Sequence, residues 1–198
     1  MANTAAPYGL RPINLIGGQV FSGSTRQIAI ASAYAANIFN GDIVAIATNG
    51  TIVKVTAVGS AAAQFPAGVV GVFLGCTYTD PVLKYKLNSQ MWPTGTAASD
   101  AMAYVCDDPD TLFQIQGSAS VAQTELGSNF PVVQNAGDVA SGSGRISLNA
   151  AGSATTSTIG LRLVDFVDGP FSKVGDSFTD CIVKFNFGQH SYNSATGV

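Results

Sequence analysis

His190 is the single histidine of the chain and the side chain best suited to move a proton near neutral pH. A nucleophilic triad around it would require a serine and an aspartate to converge on the imidazole. Its setting, Phe187-Gly188-Gln189-His190-Ser191-Tyr192, reads instead as a strand running into a polar tail, with the histidine at the surface or an edge. The carboxylates of Asp107, Asp108 and Asp110 could hold a calcium ion. The cluster lacks the glycine and the terminal glutamate of an EF-hand loop, and Pro109 makes it a solvated turn. Asp165, Asp168, Asp176 and Asp180 flank Gly169-Pro170 and Gly175, and read as turns between strands. Cys76, Cys106 and Cys181 are odd in number, widely spaced and set in apolar runs, so they read as buried thiols rather than disulfides or metal ligands. Trp92 could stack a sugar, but a tryptophan beside Pro93 at a strand end reads as packing over the open end of a barrel.

No paired-histidine metal motif, nucleophile elbow or Walker A loop is present, and Gly142-Ser143-Gly144 lacks the rest of a dinucleotide fingerprint. No cofactor and no metal are therefore expected. Nine Lys and Arg against twelve Asp and Glu give net charge −3, which supplies no basic field for nucleic acid. No apolar run reaches the ~20 residues of a membrane span. Residues 1–7 lack the charged and apolar regions of a secretory signal, which points to synthesis in a reducing cytoplasm. Only 11% of the 198 residues are charged, against roughly a quarter in a typical soluble domain. Charged residues are depleted at the cores of interfaces, so this composition favours a protein that hides surface in an assembly.

The elements that must position these side chains are strands. Ile43-Val44-Ala45-Ile46-Ala47 and Thr51-Ile52-Val53-Lys54-Val55-Thr56 flank Asn49-Gly50, which predicts a hairpin with a two-residue type I′ turn. Gly68-Val69-Val70-Gly71-Val72-Phe73-Leu74-Gly75-Cys76-Thr77-Tyr78 predicts a buried strand, its glycines marking bulges or a barrel corner. Leu83, Tyr85 and Leu87 alternate with Lys84 and Lys86, which predicts a half-buried strand. Further strands are predicted over 101–106, 112–116, 145–148, 159–164 and 181–187, with Val183, Phe185 and Phe187 on one face. A short helical turn is expected over 121–126, and a long Gly/Ser-rich loop over 134–158.

Short strands with Gly and Pro between them predict an all-β chain, a barrel or sandwich built from one or two small antiparallel units. The divisions read as an extended arm over 1–24, an N-terminal unit over 25–98, a C-terminal unit over 99–192 and a tail over 193–198. In the arm, prolines and glycines prevent regular pairing. Tyr8, Leu10, Ile13, Leu15, Ile16 and Phe21 are nonetheless too apolar for a free tail, so the segment lies against its own body or another subunit. Residues 1–100 carry five basic and three acidic side chains, and 101–198 carry four and nine, a polarity suited to head-to-tail docking.

Ala6-Pro7-Tyr8-Gly9-Leu10-Arg11-Pro12 with Gly17-Gly18 resembles the start of a group of small virion proteins of tailed bacteriophages, including phages of cyanobacteria and marine bacteria. Residues 67–76 resemble them as well, as does Asp107-Asp108-Pro109 with Phe113-Gln114-Ile115-Gln116. The resemblance implies a capsid decoration, or cement, protein. Such proteins bind the outer surface of the major capsid protein lattice, commonly as homotrimers, and lock the expanded head. It implies a place on the outside of the virion after synthesis in the host cytoplasm. By that analogy Tyr8, Leu10, Arg11, Ile13, Leu15, Ile16 and Phe21 are candidate contacts with capsid or sister subunit. The alternative is a surface or tail-associated module binding host glycans through Trp92, Tyr104 and the 134–158 loop. A third class, an enzyme centred on His190 or an acidic pair, has no substrate class to support it.

Overall fold

The computed structural model describes residues 4–198. The described chain is all-β. Its first strands are β1 (Arg11–Leu15), β2 (Arg26–Ala29), β3 (Ile38–Phe39), β4 (Ile43–Ile46) and β5 (Ile52–Lys54). Next come β6 (Val69–Thr79), β7 (Lys86–Ser89), β8 (Met91–Trp92), β9 (Met102–Cys106) and β10 (Thr111–Gln116). The last are β11 (Asn129–Phe130), β12 (Val132–Val133), β13 (Ser147–Leu148), β14 (Leu161–Phe166) and β15 (Asp180–Phe185). Only single 3-10 turns interrupt them, one of them at Gln123–Glu125 within the predicted helical turn. No helix of the described residues is long and apolar enough to cross a membrane.

One sheet has the strand order β2-β9-β6-β4-β5, with β7 on the far end of β6. It curls until Ile30, just beyond β2, bridges Ile52 of β5, which closes the sheet into a small barrel. Val44, Ile52, Val70, Phe73, Tyr78, Trp92 and Val105 form the barrel core. The second sheet, β1-β10-β15-β14-β11, is antiparallel and packs on the outside of the barrel. Ile43, Val69, Val72 and Cys106 of the barrel meet Phe113, Ile115, Leu163, Val183 and Phe185 in this second core. Alternation along β4 serves both layers, since Val44 turns into the barrel and Ile43 and Ala45 face the other sheet. Each large side chain so buried contributes about 1.5–3 kcal/mol of hydrophobic stabilisation.

The glycines of β6 do what their positions predict. Val70, Phe73 and Cys76, three residues apart, all belong to the barrel core, although strict alternation places side chains on one face every second residue. Register shifts opposite Val44/Ala45 and at Phe73/Gly75 supply the extra residues. Gly71 and Gly75 sit at these shifts with φ 147° and 149°, a region that only glycine occupies readily.

Several expectations are corrected. The boundary at 98/99 does not divide the sheets, because β9 inserts between β2 and β6 while β10 joins the outer sheet. The Asn49-Gly50 hairpin forms with a longer turn. Ala47 N–H bonds Thr51 O, Gly50 N–H bonds Ala47 O, and only Gly50 takes positive φ. Asn49 instead accepts from the backbone N–H and hydroxyl of Thr51 through its side chain. The predicted strand over 83–87 is mostly loop: Leu83 and Tyr85 are exposed and β7 begins at Lys86. The final strand ends at Phe185, because the Asn186 amide turns to the carbonyls of Ser157 and Ile159, leaving Phe187 exposed.

Candidate interface

The N-terminal segment is not a free arm. Ala6 N–H donates to Gln116 Oε1 at 2.8 Å, and Gln116 Nε2 returns a bond to Thr4 O at 3.2 Å. The Tyr8 hydroxyl donates to Asp180 Oδ1 at 3.0 Å, while Arg11 lies over the Tyr8 ring, 4.3 Å from its centroid. Burial pushes the Tyr8 hydroxyl well above its ordinary pKa, and the Asp180 carboxylate beside it adds to the shift. Burial likewise pushes the Asp180 carboxyl up. Leu10 is fully buried in the inter-sheet core. β1 then pairs antiparallel with β10, Arg11 opposite Gln114 and Leu15 opposite Thr111.

The seven candidate contacts therefore divide. Leu10 is core and unavailable to a partner, which corrects its assignment to an interface. Tyr8, Ile13, Leu15 and Phe21 are half-buried against their own chain, Phe21 packing on the inter-sheet core. Arg11 and Ile16 face solvent. Val20, 76% exposed, joins them and was missed, because a lone valine after Gly17-Gly18-Gln19 carries no periodic signal.

β1 is the outermost strand of its sheet. On its outer side the chain folds back on the end of β1: Asn14 bridges Val20, Leu15 N–H donates to Gln19 O at 2.8 Å and Gly18 N–H to Leu15 O at 2.9 Å, while Pro12 has no N–H to offer the sheet. The opposite edge is covered, since Asn129 of β11 exchanges both backbone bonds with Ala154, at 2.8 and 3.0 Å. The return turn covers the end of β1 and leaves that side incompletely paired, with Arg11, Ile16 and Val20 exposed along it.

The residues with catalytic potential occupy structural positions. His190 is 1% exposed, not at the surface as expected. One ring nitrogen, Nε2, lies 2.9 Å from Val70 O and the other accepts from Tyr192 N–H at 3.2 Å, an arrangement that requires the neutral Nε2–H tautomer. Burial lowers its pKa below the ordinary histidine value. Asp107 accepts from Arg26 at 2.6 Å and from the Tyr192 hydroxyl at 2.9 Å. Asp110 pairs with Lys184 at 2.6 Å, and Asp108 accepts from Asp110 N–H. Among the described residues no group of three or more His, Cys, Asp or Glu side chains is arranged to hold a metal. Trp92 is fully buried and meets Tyr78 edge-on with centroids 5.3 Å apart, so it presents no face to a sugar. Sequence reasoning also missed the pair of Asp42 and Lys54, 2.7 Å apart, where Asp42 additionally accepts from Phe39 N–H. Burial pushes this carboxyl up despite both partners.

No protein-family model matches the chain, and neither a curated protein nor a solved structure is detectably similar to it.

Proposed function

We propose that the chain is a structural protein of a tailed-bacteriophage head, binding the outer surface of the major capsid protein lattice as a homotrimer and stabilising the expanded shell. The incompletely paired β1 edge, with exposed side chains along it, carries this reading. An uncovered strand can take a partner strand by backbone hydrogen bonding, while flanking side chains supply specificity. Arg11, Ile16 and Val20 flank that edge, and none of them is needed in the core. The resemblance of residues 6–12 and 67–76 to phage virion proteins names the partner class, and the 11% charge content suits extensive subunit contact. Many modest contacts repeated over a lattice yield strong attachment.

The test adds the protein to expanded shells of the same phage that lack it and follows shell melting. The expected result is a saturable rise in melting temperature; shells that melt identically at saturating protein would refute the reading.

A further inference from the structure

Two loops hold apolar side chains out in solvent on backbones that are fixed by hydrogen bonds. The first, over 80–86, joins β6 to β7. Val82 is 82% exposed, and Leu83 and Tyr85 stand beside it. Asp80 Oδ1 accepts from the N–H groups of Val82 and Leu83, both at 2.7 Å, and Lys84 N–H returns to Asp80 O at 2.9 Å. Lys84 takes φ 59°, a left-handed conformation that non-glycine residues rarely adopt. The second loop, over 167–179, joins β14 to β15. Phe171 is 78% exposed and Val174 is exposed as well. Lys173 N–H donates to Asp176 Oδ2 and Gly169 N–H to Ser172 O, each at 2.9 Å, and Ser172 Oγ accepts from Asp180 N–H.

The loops are opposite in charge. Loop 80–86 carries the exposed Lys84 and Lys86 against Asp80, whose carboxylate is turned onto the loop's own N–H groups. Among the described residues neither lysine forms an ion pair, although Asp100 lies near enough to Lys86 to interact with its charge. The second loop and its flanks hold Asp165, Asp168 and Asp176 against one lysine, Lys173. The loops belong to different sheets, and no hydrogen bond or ion pair joins them within one chain among the described residues.

We infer that the occupant of each tip is a second copy of this chain: loop 80–86 of one copy docks on loop 167–179 of the next. Leu83 and Val82 pack against Phe171, and Lys84 and Lys86 face Asp168 and Asp176. Two different patches meet, so the contact is heterologous, and a rotation that closes gives a ring. This inference rests on the reading of the chain as an assembly of copies, and it requires no capsid.

The test is a complementation experiment by sedimentation velocity on the full chain. Wild type assembles. Leu83→Asp and Phe171→Asp, both surface changes that leave melting unmoved, each sediment as monomers at concentrations where wild type is assembled. Mixed in equal amounts, they form dimers and nothing larger, because one intact junction remains. Charge reversal gives a second measurement: Lys84→Glu and Asp168→Lys, neither of which touches the hydrogen bonds that fix the loops, each lose assembly, and one chain carrying both changes regains it. A wild type monomeric at all concentrations, single variants that assemble like wild type, or a mixture that stays monomeric would overturn the inference. Capsid attachment is measured separately on shells, so its failure leaves these outcomes readable.

Discussion

The backbone N–H of Leu10 donates to the carbonyl oxygen of Gly41 at 3.0 Å, fastening the N-terminal segment to the turn that opens β4. The Leu10 side chain lies in the inter-sheet core with Phe113 and Val183. The segment is thus part of the fold before it is part of any contact. Leu10→Ala should cost about 2–5 kcal/mol, the range for emptying a buried leucine site. Denaturant melts of the variant check this; an unchanged midpoint would mean the segment is not docked. Deleting 1–24 removes β1 and Leu10 together, so such a truncation reports on folding as well as binding.

Gly71→Ala should destabilise by about 3 kcal/mol or more. At φ 147° an added Cβ overlaps the carbonyl oxygen of Cys106 on β9, in a backbone region that is itself costly for other residues. The same change at Gly50, where nothing lies near the added carbon, should cost less, because only the turn conformation resists it. Thermal melts of the two variants give the comparison.

His190 sets an acid limb to stability. Burial holds its folded pKa below the ordinary value of about 6.5, so in falling pH the unfolded chain takes the proton first. Its stabilising contribution is complete above about pH 6.5 and is lost as pH falls through the lower folded value. Asp42, pushed up by burial, acts with the opposite sign, favouring the folded state where it is protonated. Melting wild type and His190→Gln across the acid range separates them: the variant should lack the histidine slope and keep the aspartate one. Parallel curves would contradict this assignment.

The three cysteines should be silent in the native protein. All are free and buried, and burial pushes the thiols of Cys76 and Cys181 up to about 12 and that of Cys106 to about 11. The thiolate is the reactive form, so a disulfide reagent at neutral pH should find no thiol in folded protein and three after denaturation. Fast labelling of a folded thiol would contradict the packing described.

The strands of the two cores were legible because their apolar side chains repeat at strand period and their turns carry Gly, Asn and Asp. The bulges of β6 were legible for a related reason, since glycines inside an apolar β run have few other uses. What the sequence concealed is long-range. Leu10 sits among prolines and glycines without periodicity, and its partners are some 30 to 170 residues away. Leu83 and Tyr85 show correct alternation, yet alternation describes a strand only where a neighbouring surface buries one face. His190 follows a strand end and looks exposed until the chain turns it back onto Val70. Of the candidate contacts, residue type alone could not separate Leu10, taken by the core, from Ile16, left outside.

The most direct test of attachment through the β1 edge is a binding isotherm on expanded capsid shells, comparing wild type with Ile16→Asp/Val20→Asp. Both side chains are exposed, so the variant should melt like wild type. Wild type should bind saturably and the variant at least tenfold more weakly, about 1.4 kcal/mol. Equal binding by the two proteins, or none by wild type, would contradict it.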